Sequence, residues 1–185
     1  MMLLKAASVN NLTDARYFNV LENAYIGLNF DALNPKNVTI EKATQLIEWL
    51  FEPHLVAEFG LHQTKEEIAF ILDKFPFSGW QVDIQHPCSG ENFGIQKWLT
   101  INDKHTFFDI ELTQSAYMIF SEGNLPTQHL DGKAILTDIK LDEHIDMRKL
   151  TAQQTDGWNL HLPLEERPGW SSIDIVNELL EHIVH

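Results

Sequence analysis

Asp83 and His161, late in two strand-like runs, carry the groups best suited to chemistry in this 185-residue chain. A carboxylate and an imidazole brought to one mouth can share acid–base work, or hold a metal together with Asp138 in the run Ala134-Ile135-Leu136-Thr137-Asp138. A hydrogen-bonded pair, or two solvated loop residues, is the plainer reading of the same types. Cys88, the single cysteine, follows His86-Pro87 in a loop-like stretch. Sequence neighbours rarely form a working dyad, no third group is placed to orient them, and no second cysteine offers a disulfide or a thiolate metal site. The nine histidines are scattered without His-x-x-x-His or another familiar ligand spacing, so neither a metal nor a cofactor is expected. Trp80, Trp98, Trp158 and Trp170 read as core or mouth-lining aromatics, because no basic groove accompanies them.

The elements that must position these groups follow a repeating pattern. Leu3 to Val9 is a mostly apolar run of strand length, after which Asn11 offers a capping oxygen and Leu12, Ala15, Phe18 and Leu21 recur at helical spacing. Tyr25 to Phe30, His54 to Phe59 and Gly79 to Ile84 are further strands. Thr39 caps a helix with Ile40, Ala43, Ile47 and Leu50 on one face, and Thr64-Lys65-Glu66-Glu67 is a capping box opening a helix with Ile68, Ile71, Leu72 and Phe75 inward. Strands alternating with amphipathic helices predict parallel strands joined by crossovers, as in an α/β barrel or a doubly wound sheet. From 91 to 141 the chain turns strand-rich and helix-poor, with runs over Gln96–Ile101, Thr106–Leu112, Ala116–Phe120 and Ala134–Ile139 and a loop over Gly123–Gly132. A weak helical pattern covers Leu141 to Leu150. Ser171 and Asp174 open a terminal helix with Ile173, Val176, Leu179, Leu180 and Ile183 as its apolar stripe.

Composition narrows the class. With 44% hydrophobic residues the chain suits one domain over 1–185. No apolar run approaches the length of a spanning helix and the first residues lack a signal peptide's pattern, so a cytoplasmic protein is expected. Thirteen basic residues against 27 acidic ones, a formal charge of −14, argue against nucleic acid as a partner.

Lys5, Asn11, Leu12, Asp14 and Ala15 resemble the opening of phosphoribosylanthranilate isomerases, whose first strand carries Lys-Ile-Cys-Gly before a Thr-Asn-Leu-Glu-Asp-Ala-like turn. Ile26-Gly27-Leu28-Asn29-Phe30 with Asn34-Pro35-Lys36-Asn37-Val38 is similar to that family's Gly-Phe-x-Phe and Ser-Pro-Arg-Tyr-Val-Ser. Trp80-Gln81-Val82-Asp83 stands at its Val-Gln-Leu-His-Gly, and Gly157-Trp158-Asn159-Leu160-His161-Leu162-Pro163-Leu164-Glu165 at its Gly-Val-Asp-Val-Ser-Ser-Gly-Val-Glu. The match covers roughly 3–84 and 156–184. It implies a shortened or degenerate (β/α)8 barrel with its site at the strand C-terminal ends, strands five to seven being joined by short links.

The resemblance also says which groups differ. The family's general base, a cysteine, is Ala7 here, and a methyl group takes no proton. Lys36 replaces an arginine that grips the substrate's carboxylate and lacks its bidentate fork. The seventh-strand Gly-Gly is missing, and His161-Leu162-Pro163 replaces the phosphate-binding Ser-Ser-Gly, where proline has no N–H to donate. Asp138 is the nearest match by pattern to the general acid at the end of the sixth strand. The implied function is that of an isomerase-like barrel with absent or strongly reduced Amadori isomerisation and a pocket of Lys5, Lys36, Asp83, Asp138 and His161. Two alternatives stand beside it: a working isomerase with Asp83 or Asp138 as relocated base, and a non-catalytic ligand-binding or partner subunit. In the last, missing helices would leave apolar barrel surface for a homodimer to cover.

Overall fold

The computed structural model describes residues 2–102, 116–121, 133–141, 155–163 and 173–184. Eight parallel strands, β1 (Leu3–Ala7), β2 (Ala24–Asn29), β3 (Leu55–Glu58), β4 (Gly79–Asp83), β5 (Gln96–Ile101), β6 (Tyr117–Ser121), β7 (Ala134–Lys140) and β8 (Gly157–His161), close into a barrel in chain order, with β8 pairing back onto β1. Closure leaves none of these eight strands with an unpaired edge. Four helices are described: α1 (Leu12–Asn19), α2 (Ile40–Ile47), α3 (Lys65–Leu72) and α4 (Ile173–Val184). Asn11 caps α1 by accepting the Asp14 amide, Thr39 caps α2 by accepting that of Lys42, and Thr64 with Glu67 forms the capping box of α3.

The chain is shortened where the sequence pattern faded. Residues 84–95 between β4 and β5 carry turns and no helix. The strand expected over 106–112, the loop over 123–132 and most of the helix expected over 141–150 lie outside the described residues, as does Trp170.

Strand alternation sorts the barrel into two cores. Inside, Trp98 stacks on Tyr117 with ring centroids 3.9 Å apart, Tyr25 meets Trp98 edge-on at 5.0 Å, and Val56, Ile119 and Leu136 close the layer above. Gly79 makes room for this: a Cβ there would lie 2.6 Å from Trp98 Nε1 and 2.9 Å from the Gln96 carbonyl. Outside, Phe18, Ile26, Leu28, Ile68, Trp80, Trp158, Leu160 and Val176 belong to the main buried cluster. Trp80, Trp98 and Trp158 are all fully buried, as core aromatics should be.

Among the described residues of the later strands the expected uncovered apolar surface is not found. Ile101, Met118, Phe120 and Ile135, on the outward positions of β5 to β7, are 0%, 0%, 2% and 5% exposed within the single chain.

Trp98→Ala should lower the unfolding free energy by about 3–5 kcal/mol, because the stacked ring leaves a cavity the barrel cannot collapse into. Trp49→Ala, at a residue 66% exposed, should stay within about 0.5 kcal/mol. Urea unfolding of both variants checks the contrast.

Candidate functional site

The upper barrel interior is polar, and its hydrogen bonds start from a buried ion pair. Lys5, in mid-β1, is fully buried, and its Nζ donates to Glu58 Oε1 across the barrel and to Asn159 Oδ1 at 3.0 Å. Glu58 ends β3 and is 4% exposed. Its Oε2 accepts the Ser8 hydroxyl at 2.8 Å, the Ser8 amide at 3.1 Å and Asn29 Nδ2 at 3.3 Å. Ser8 adopts φ 51°, a left-handed conformation costly for a residue with a Cβ. Both of its donors reach the same carboxylate there, which holds it in place.

Asn159 of β8 carries the network onward. Its Nδ2 donates to Asp138 Oδ1 at 2.6 Å, and the same oxygen accepts from His161 Nε2 at 2.7 Å. Burial alone would raise the Asp138 carboxyl, but the hydrogen bond and charge of His161, then Asn159 and Lys5, hold it below the ordinary carboxylate range. Asp138 is therefore ionised at neutral pH and orients His161, which carries the proton between them. Glu58 behaves alike: burial would raise it, but Lys5, Ser8 and the His161 charge keep it below its ordinary value.

Above this floor lies a cleft of about 170 Å3 at the C-terminal mouth, lined by Ala7, Ser8, Asn29, Asn34, Glu58, Phe59, Gln81, Val82, Asp83, Thr100 and His161. A larger hollow of about 790 Å3 opens at the other end, against Met2, Tyr117, Ala134 and Thr155. Polar side chains there hold strand ends: Thr155 Oγ1 donates to the Ile135 carbonyl and Asp156 accepts the Ile135 amide. The mouth, where paired charged groups converge, is the candidate site.

Asp83 and His161 do line one cleft, as their late strand positions suggested, but His161 pairs with Asp138. Asp83 accepts the Gln85 amide at 2.8 Å and Asn102 Nδ2 at 2.7 Å. Asp138 lies on the seventh strand, not the sixth, so its match by pattern to a sixth-strand acid does not hold in space; β6 ends at Ser121. Lys5 lies under the cleft without lining it. Lys36 turns to the β8 exit, donating to the carbonyls of Leu162 and Pro163 at 2.7 and 2.9 Å. Among the described residues no group of three or more His, Cys, Asp or Glu is placed to hold a metal. His86 Nδ1 accepts the Cys88 amide at 2.9 Å, and burial pushes the Cys88 thiol up, so this pair forms a turn.

Glu58, Ser8, Asn29 and Asn159 are the members that sequence reasoning missed. The signal was present: Lys5 and Glu58 are opposite charges inside otherwise apolar strands, where an unpaired charge is prohibitively costly.

Removing one partner of this pair should be severe. Glu58→Gln should cost about 3–5 kcal/mol at neutral pH by leaving Lys5 buried without its counter-charge. Because Glu58 and Asp138 both sit below their unfolded values, their stabilisation is present above the unfolded carboxylate range near about pH 4 and lost as pH falls through the folded values. Unfolding free energies measured from neutral to acid pH should fall steeply for the wild type and more gently for Glu58→Gln.

No family model and no curated protein matches the chain. Solved structures do. Phosphoribosylanthranilate isomerase from Thermotoga maritima superposes with a TM-score of 0.74 at 14% identity, over 98% of both chains. The enzyme from Thermus thermophilus gives 0.72 at 15%, over 99% of this chain and 98% of that one. That from Pyrococcus furiosus gives 0.74 at 11%, over 98% of each. The chain thus has, over nearly its whole length, the (β/α)8 barrel fold of the phosphoribosylanthranilate isomerases.

Proposed function

We propose that this protein uses the isomerase barrel as a small-molecule-binding scaffold and has lost, or nearly lost, the Amadori isomerisation that such barrels perform in tryptophan biosynthesis. The observation that carries this reading is Ala7, a methyl group on the cleft wall where a proton-abstracting group would stand. The hydroxyl beside it, on Ser8, is bound to an ionised carboxylate. The two lysines that a phosphorylated, carboxylated substrate would use are engaged with protein groups, Lys5 with Glu58 and Lys36 with backbone carbonyls. The acid–base unit at the mouth is the Asp138–His161 pair, in which Asp138 holds the imidazole and His161 moves the proton.

A second reading is favoured by one observation. Asp83 lies on the same cleft as His161, so a carboxylate base and an imidazole acid flank one space. On that reading the protein is a working isomerase with a relocated base.

Turnover of phosphoribosylanthranilate by the purified protein decides between them. We expect a rate equal to that of buffer and no rescue of a tryptophan auxotroph lacking this isomerase. Turnover that Asp83→Asn or Asp138→Asn lowers by about 10²-fold or more, the usual scale of acid–base catalysis, would establish the second reading.

A further inference from the structure

We infer that the cleft at the barrel mouth selects a small polyhydroxylated amine, bound as its ammonium form, over a phosphate ester. This rests on the reading of the barrel as a small-molecule scaffold and adds the chemistry of the ligand.

Size comes first. A volume of about 170 Å3 equals the liquid share of about six waters, at about 30 Å3 each. That lies below the roughly 300 Å3 at which sites for drug-sized ligands begin. Polarity comes next. Gln81 donates its Nε2 to Thr100 Oγ1 at 3.0 Å, which fixes the amide and leaves its Oε1 buried without any hydrogen-bond partner. A buried acceptor without a donor is costly, so this oxygen is set to receive a ligand N–H or O–H. Asp83 adds a carboxylate on the same wall. Asn34 and Thr100 supply amide and hydroxyl groups suited to ligand hydroxyls, Ser8 and Asn29 being engaged with Glu58.

Charge decides between the two ligand classes. Glu58 is offset by Lys5 beneath it and Asp138 by its pairing with His161, which leaves Asp83 as the lining carboxylate that no ion pair among the described residues offsets, and no lysine or arginine is among the described residues that line the cleft. His161, the remaining basic group on the wall, turns Nε2 to Asp138. A phosphate placed there would meet a like charge, whereas an ammonium brings three donors to Gln81 Oε1 and Asp83. Lys36 lies outside the lining and bonds the Leu162 and Pro163 carbonyls.

The test is a set of NMR titrations near neutral pH in an amine-free, phosphate-free buffer. The probes are tris(hydroxymethyl)aminomethane, its neutral counterpart pentaerythritol, and ribose 5-phosphate. We expect saturable binding of the amine at least about tenfold tighter than pentaerythritol, and about tenfold weaker binding in Asp83→Asn and in Gln81→Met, each first shown by circular dichroism to be folded. Absence of saturable amine binding, equal affinity for pentaerythritol, tightest binding of ribose 5-phosphate, or folded variants that bind as the wild type does would each overturn the inference. A protein that neither isomerises nor binds the amine retains the scaffold reading and loses this one. A protein that isomerises and still binds the amine loses the first and retains the second.

Discussion

The polar network that runs from β1 to β8 inside this barrel depends on one charge pair. Lys5 and Glu58 lie on strands separated by β2, and neither is tolerable there alone, since burying an isolated charge costs far more than folding can supply. Joined, they need further partners, because an ammonium has three donors and a carboxylate about four acceptor sites. Ser8, Asn29 and Asn159 are those partners. Asn159 in turn presents its amide nitrogen to Asp138, so a requirement that begins in the middle of β1 fixes the geometry of an imidazole at the end of β8. Such coupled networks are rigid when fully satisfied.

This changes what the mouth can do. A barrel that puts a lysine on its inner wall can use it for an anionic ligand, but here a neighbouring carboxylate holds it. A lysine in the loop after β2 can reach toward the mouth, but here it ties that loop to the exit of β8. Both lysines are held by protein groups, and the polar groups lining the cleft are amides, hydroxyls, carboxylates and the His161 imidazole. A shared barrel fold does not by itself fix the chemistry at its mouth, because function resides in sites grafted on folds.

Much of the architecture was legible in the sequence, and for stated reasons. Apolar strand runs and the Asn11, Thr39 and Thr64 caps are local signals that appear where their pattern placed them, but the helices end before Leu21, Leu50 and Phe75, and α2 buries Leu46 beside Ala43. Closure into a barrel was not local; periodicity left a doubly wound sheet equally open, and the family resemblance favoured the barrel. At the site, Asp83 and His161 were legible because strand ends point to one mouth. Asp138 was legible as a residue but not as a position, because strand number cannot be counted through a stretch whose connections carry no helical pattern. Glu58 is legible as a charge in an apolar run that must find a partner, but not as the partner of Lys5, 53 residues away. Pairing across a barrel interior is set by register, which a one-dimensional reading does not contain.

Gly27 gives the ion pair a history as well as a place. A Cβ on this residue of β2 would overlap Glu58 Oε1 and lie 2.8 Å from Lys5 Nζ. The missing side chain is thus the space in which the two charges meet. Positions 5, 27 and 58 cannot drift one at a time: a larger residue at 27 ejects the pair, and loss of either charge strands the other. The three form an epistatic lock, so this barrel can exchange its polar interior for an apolar one only by changing several residues together.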